Sequence, residues 1–335
     1  MENKNNNLVQ TENLKKWFPV EKNFIDQMLA AGKLNYVRAV DGVTFNIKAG
    51  EAFGLAGESG SGKSTIGRLA IGLEKPTEGK VLFDGIDLST LEPEALRLER
   101  RRMQVIFQDP MASLNPRMTL GESVYEGLRI HFPEQKDSFR EKTVQIMEKV
   151  GLTPANYFFN KYPHQISGGQ RQRVVIARAL ITQPDLVLAD EPIAMADVSV
   201  RSMLLDLMVR LKEEFSLTYL FITHDLATAK YICDRIAILY LGKIAEMGDL
   251  KEIYTHPLHP YTQALLAAVP VPNPHARRTQ PMPEGEIPNP IHPPSGCRFH
   301  PRCPHAQEIC SREEPQLRDL GSGHQVACHF AEKFS

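Results

Sequence analysis

Residues 57–64 read Gly-Glu-Ser-Gly-Ser-Gly-Lys-Ser, and this octet constrains the fold more than any other stretch of the chain. A glycine-rich turn ending in Lys-Ser acts on a ligand when a buried strand delivers it and a helix carries it away. Glycines let successive backbone N–H groups turn inward on phosphate oxygens with no side chain intervening. The start of the following helix adds the positive end of its dipole. Lys63 supplies a point charge to the outer phosphates, and the Ser64 hydroxyl is a hard oxygen donor for Mg²⁺. The flanks fit this design: residues 51–56 read as a buried strand and residues 65–72 as a helix. Four fixed positions at ordinary residue frequencies recur by chance in roughly 1% of chains of this size. The octet is read as a nucleotide site.

A site that handles a triphosphate also needs a carboxylate at a strand end. Residues 186–191, Leu-Val-Leu-Ala-Asp-Glu, supply four apolar residues and then two acids where a strand leaves the core. Asp190 would orient the magnesium shell, and Glu191 would polarise an attacking water as general base. The alternative is a strand followed by a solvated acidic turn. A second glycine-rich helix start stands at residues 167–170, where Ser167 is a good N-cap and Gly168 and Gly169 permit close approach of an anion ahead of Gln170. Its plain alternative is a capped helix over residues 171–180.

Around these motifs the text alternates strand and helix. Residues 50–55, 186–189 and 219–222 read as short buried strands, each followed by a loop and a helical pattern, which predicts a mostly parallel α/β sheet. Residues 8–17 and 37–47 read as early strands separated by residues 18–36. Apolar Phe139, Val144, Met147 and Val150 predict an amphipathic helix over 136–150, in an inserted helical subdomain. With 335 residues, 42% of them hydrophobic, the chain has ample core. A net charge of −1 gives no general grip on nucleic acid or acidic lipid. No run approaches the roughly 20 apolar residues of a membrane span. Residues 1–10 are polar and lack the pattern of a secretory signal, so an intracellular protein is expected.

The composition shifts near residue 256. Of 24 prolines, 13 fall between His256 and Pro304, which argues against helix and central strand there and for an extended arm. The arm carries Cys297, Cys303, Cys310 and Cys328, separated by five, six and seventeen residues. That spacing lacks the paired knuckles of structural zinc, but thiolates on an arm with little core make sense if a cofactor orders it. Cys233 reads as a small buried residue.

Residues 57–64, Gln108, residues 167–170, residues 186–191, Asp197 and His224, in that order, resemble an ABC-type ATPase subunit over residues 8–250. Phe107-Gln-Asp-Pro110 followed by Ser113-Leu-Asn-Pro-Arg117 is similar to the oligopeptide/dipeptide importer branch. So are His259-Pro-Tyr261, Gly285-Glu-Ile-Pro288 and the cysteines beyond them. The resemblance implies a P-loop NTPase fold in residues 1–255, an α/β fold with a RecA-like mostly parallel sheet, an antiparallel β subdomain and a helical subdomain at residues 109–180. A small irregular Cys-containing module follows in the proline-rich extension 256–335.

It also implies the site. ATP would be held by Gly57, Glu58, Ser59, Gly60, Ser61, Gly62, Lys63, Ser64, Thr65 and Asp190, with Mg²⁺ on Ser64, Gln108 and Asp190. Glu191, His224 and Gln108 would be catalytic: Glu191 as base, His224 bonding the γ-phosphate, Gln108 reporting nucleotide state to the helical subdomain. Two such subunits pack head to tail, so Ser167, Gly168, Gly169, Gln170 and Asp197 would serve the nucleotide held by the partner. The adenine would stack on Trp17, with Tyr36 the competing position. The chain departs from the family pattern at Ala194-Met-Ala-Asp197, where Ser-Ala-Leu-Asp is usual, and at Ile166; the first departure bears on coupling between subunits. For the cysteines the resemblance favours a structural [4Fe–4S] cluster, its negative charge suited by Arg298 and Arg302; zinc or unligated thiols are the alternatives.

The implied function is ATP binding and hydrolysis energising import of oligopeptides or dipeptides, with oligosaccharides or nickel complexes as alternative cargo. A second ATPase subunit, two transmembrane permeases and, indirectly, an extracytoplasmic solute-binding protein would be the partners. The subunit would sit peripherally on the cytoplasmic face of the membrane. A soluble ABC ATPase acting on DNA or ribosomes is a rival class, but the chain has one phosphate loop and no heptad run. A regulatory module that binds ATP without turnover is another, supported only by the altered loop at residues 194–196.

Overall fold

A computed structural model of the chain describes residues 6–20, 35–269 and 285–334. Most of the segment expected between the first two strands, the first five residues, and residues 270–284 of the proline-rich stretch lie outside the described residues. The chain opens with β1 (Asn7–Pro19) and β2 (Tyr36–Lys48), then β3 (Ala52–Ala56), which leads through the phosphate loop into α1 (Lys63–Ala70). Next come β4 (Glu78–Phe83), β5 (Ile86–Asp87), α2 (Pro93–Arg100) and β6 (Met103–Ile106). A helical stretch holds α3 (Leu120–His131), α4 (Phe139–Lys149) and α5 (Gly168–Leu180). Then β7 (Leu186–Asp190), α6 (Val198–Phe215), β8 (Thr218–Thr223) and α7 (Leu226–Ile232) alternate. The chain continues with β9 (Arg235–Tyr240), β10 (Lys243–Asp249), α8 (Leu250–Thr255) and α9 (Pro260–Ala267), and the tail adds β11 (Arg318–Asp319) and β12 (Gln325–Val326).

These elements form two compact units, each discontinuous in sequence. The first comprises Met1–Leu8, Ile47–Phe53 and Thr90–Ile222. In it β6 and β7 pair in parallel, Met103 opposite Leu186, and β7 pairs with β8 in parallel, Leu186 opposite Thr218. The Tyr219 N–H donates to the Glu51 carbonyl at 2.9 Å, bringing the start of β3 beside β8. Every residue of β8 is buried, and all of β7 but its last. Strands covered on both faces read as unbroken apolar runs, which is why residues 186–189 and 219–222 could be recognised as strands. In the helical stretch Thr119 and Glu122 form a reciprocal capping box at the start of α3. The helix expected over 136–150 is α4, preceded by a 3₁₀ turn at Pro133–Ser138.

The second unit comprises Val9–Asn46, Gly54–Ser89 and Thr223–Ser335. One sheet has the order β2-β1-β4-β5, with β1 and β4 antiparallel. A second part is the β9–β10 hairpin, whose two turn residues, Leu241 and Gly242, have φ of 44° and 79°. Positive φ at both positions matches the right-handed twist of the strands. The end of β3 runs beside β9; a Cβ on Gly54 would come within 3.0 Å of the Cys233 sulfur, and Cys233 is buried as expected.

The tail corrects one expectation. The proline content after residue 256 speaks against helix, yet α9 begins at Pro260. Proline there occupies the first turn, where its missing N–H has no partner to lose, and the His259 ring nitrogen Nδ1 accepts the Tyr261 N–H at 3.0 Å. Beyond the proline-rich stretch, β12 pairs antiparallel with β10, Met247 opposite Gln325, and β11 pairs with β12. Leu258, Val326 and Ala331 close a small apolar core under Leu320, Cys328 and Phe334.

Candidate nucleotide site

The phosphate loop lies in the second unit. Its first and last glycines are fixed by neighbouring backbone as well as by any ligand. Gly57 has φ 146° and Gly62 φ 105°; a Cβ on either would come within 2.2 Å of a carbonyl oxygen, that of Leu239 and that of Ala39. Gly62 caps α1 with no side-chain hydrogen bond to the helix start. The Lys63 ammonium is buried inside the loop, donating to the carbonyls of Gly57 (2.8 Å) and Glu58 (2.9 Å) and to Ser61 Oγ (3.4 Å). Ser59 and Gly60 are exposed at the loop tip, while Ser64 and Thr65 are half-buried in the first turn of α1. The Ser61 carbonyl accepts the Gly242 N–H at 2.9 Å, so the β9–β10 turn braces the loop.

Trp17 is half-buried, its indole N–H donating to Asp41 Oδ1 at 3.2 Å and its ring within 5.6 Å of Lys15 Nζ and 5.1 Å of the Arg38 guanidinium. Tyr36, the competing aromatic, is exposed at the start of β2. His224 is exposed directly after β8. Its neighbour Asp225 caps α7 through the Ala227 N–H at 2.9 Å and accepts the Thr228 hydroxyl at 2.9 Å.

The first unit brings Gln108 and Glu191 together. The Gln108 amide donates to Glu191 Oε2 at 3.0 Å, across 83 positions of sequence. Glu191 follows Asp190 at the end of β7 with φ 47°, a backbone region most side chains avoid, and its N–H donates to the Ile222 carbonyl at 3.0 Å. At the start of α5, Ser167 Oγ accepts the Gln170 N–H at 3.3 Å and Gln170 Oε1 accepts the Ser167 N–H at 3.0 Å. A Cβ on Gly169 would meet Val200 of α6 at 2.9 Å, so this glycine permits helix packing. Asp197 is exposed and stands at the N-terminus of α6 without a side-chain cap bond. Behind the altered loop, Arg201 donates to the carbonyls of Ala196 (2.9 Å) and Ala194 (3.3 Å), while Met195 is exposed. Nothing in the sequence pattern pointed to Arg201.

In the tail, Cys297, Cys303, Cys310 and Cys328 line one narrow cavity together with His300, His305 and His329. Burial pushes the Cys297 thiol up to about 12 and raises those of Cys303 and Cys328. Among the described residues no group of three or more His, Cys, Asp or Glu is arranged to hold a metal ion. Arg298 and Arg302, expected from sequence to suit the charge of a centre at the cysteines, have carboxylate partners of their own. Arg298 donates to the Asp41 carboxylate and the Leu241 carbonyl, and Arg302 to the Glu58 carboxylate. Tyr261, quoted in the sequence only as part of a family motif, accepts the Glu58 N–H at 2.9 Å.

A family model described as ABC transporter matches residues 40–194, and one described as oligopeptide/dipeptide transporter, C-terminal region, matches residues 245–310. The chain is 46% identical over 326 residues to the oligopeptide transport ATP-binding protein AppF of Bacillus subtilis (strain 168), covering 96% of this chain and 97% of that protein. It is 46% identical over 326 residues to the dipeptide transport ATP-binding protein DppF of Escherichia coli (strain K12), covering 97% and 95%. Among solved structures, it is similar to the dimeric post-hydrolysis ATP-binding cassette MJ0796 bound to ADP and Pi. That likeness has a TM-score of 0.62 at 32% identity, over 72% of this chain and 98% of that one.

Proposed function

This chain belongs to the ABC transporter family, in its oligopeptide/dipeptide branch, and from that premise we propose a division of labour among its residues. It is an ATP-binding and ATP-hydrolysing subunit that energises peptide import. Lys63 and the loop amides take the outer phosphates, and Trp17 stacks on the adenine. Ser64, Gln108 and Asp190 are oxygen donors of the kind Mg²⁺ selects, and a bound Mg²⁺ would neutralise charge on the phosphate oxygens. His224 donates to the γ-phosphate. Glu191 draws the proton from the attacking water, and Gln108 holds its carboxylate for that task. The Gln108–Glu191 hydrogen bond at 3.0 Å carries this reading, because it pairs a strand-end carboxylate with the residue that would sense the nucleotide.

Residues 167–170 and Asp197 act on the nucleotide of a second, sister ATPase subunit, and two permeases receive the motion through the helical stretch. An extracytoplasmic binding protein delivers the peptide. The subunit docks peripherally on the cytoplasmic face of the membrane; among the described residues no helix is long and apolar enough to cross one. The four cysteines of the tail hold a structural [4Fe–4S] cluster. Support comes from their convergence on one cavity.

Phosphate release tests hydrolysis. Glu191→Gln is expected to bind ATP as the wild type does and to release phosphate at least about 100-fold more slowly. Equal rates would remove Glu191 from its role.

A further inference from the structure

The tail reaches back to the phosphate loop through Arg302. Its guanidinium donates to both oxygens of Glu58, at 2.8 Å and 3.1 Å, with the arginine side chain 7% exposed and the glutamate 25%. The same guanidinium lies over the rings of Tyr240 and Phe299 and donates to the Tyr240 hydroxyl at 3.4 Å. The Glu58 N–H meanwhile donates to the buried Tyr261 hydroxyl at 2.9 Å. One loop residue is thus held at its main chain and at its carboxylate, both times by residues from beyond the cassette motifs. Arg298 fastens the same tail segment onto Asp41 and the Leu241 carbonyl.

Glu58 sets an electrostatic problem. It is the second residue of a loop whose amides and uncapped helix start attract anions, and its own carboxylate is an anion. Unpaired, it would repel a triphosphate and compete with it for the amides. We propose that Arg302 is a positioning residue for the nucleotide: its planar fork neutralises Glu58 and turns the carboxylate away from the loop. The inference rests on the reading of residues 57–64 as the ATP site. It makes the cysteine-bearing tail part of the nucleotide site's electrostatics, a role that no cassette motif carries.

The test is titration of the full-length chain with a fluorescent ATP analogue and Mg²⁺. Arg302→Ala is expected to raise Kd about tenfold, and in the assembled importer to raise KM for ATP with kcat within about twofold. Adding Glu58→Gln to Arg302→Ala is expected to restore most of the affinity, because the stranded charge is gone. A purely structural role for Arg302 would show no such rescue. Unchanged Kd in Arg302→Ala, or a double variant as weak as the single one, overturns the proposal. Should Arg302→Ala fail to fold, Arg302→Lys must bind more tightly than Arg302→Gln; equal affinities overturn it as well. A wild-type chain that did not bind the analogue would instead overturn the ATP-site reading, and this inference with it.

Discussion

The chain has two glycine-rich helix starts, and they are finished in opposite ways. At α1 the N-cap is Gly62, with no side chain closing the helix end and the Lys63 ammonium folded into the loop. At α5 the N-cap is Ser167, and Ser167 and Gln170 satisfy one another's amides in a capping box. An open end with a built-in cation is made to take an anion as part of the chain's own site. A self-satisfied end loses little without a ligand, which suits the role proposed for it at a nucleotide carried by another subunit. A third start, at α9, is capped by the His259 ring, and there the cap can titrate.

The largest expected effect breaks the open end. Lys63→Ala should weaken ATP binding by the purified chain about 100-fold or more, since it removes the loop's own cation. Isothermal titration reads this directly. The self-capped end should answer differently. Ser167→Ala should cost about 1 kcal/mol of stability as a lost N-cap and leave ATP binding by the purified chain within about twofold. In the assembled importer it should cut turnover about tenfold or more, as a lost contact to the partner's phosphate. Equal effects of the two variants on the isolated chain would erase the distinction.

The smallest effect concerns the histidine cap. Burial lowers the His259 pKa to about 4, against the ordinary 6.5, with the nearby Glu246 opposing the shift. The unfolded chain therefore binds a proton that the folded chain refuses between those values. Stability is complete above about pH 6.5 and falls by about 1.4 kcal/mol per unit as pH drops toward 4, where the loss levels off. His259→Asn keeps a capping oxygen and should flatten that part of the pH profile in urea melts. An unchanged slope would remove His259 as its source.

How much was legible follows from distance along the chain. The strand, loop and helix around residues 57–64 are contiguous, so local pattern sufficed. The strands at β7 and β8 were plain because both faces are covered. The tail was harder. Its prolines spoke against helix, but a proline in the first turn with a cap before it starts one. The two-residue strand β12 is too short to carry a pattern and is defined only by pairing with β10. Arg298 and Arg302 find partners 257 and 244 positions away, a choice no local reading reaches. The bond between Gln108 and Glu191 is a similar case: both residues were picked out from sequence, but their contact needed the parallel pairing of β6 and β7.

The central claim is that one chain carries an open anion site and a separate, self-capped half that serves another copy's or a sister subunit's nucleotide. Light-scattering mass of the Glu191→Gln chain, alone and with the sister ATPase of the same importer, tests this with Mg-ATP and with Mg-ADP. The account predicts a doubling of mass with Mg-ATP and single chains with Mg-ADP. Single chains under every condition, together with full turnover by the wild-type chain at the same dilution, would contradict it.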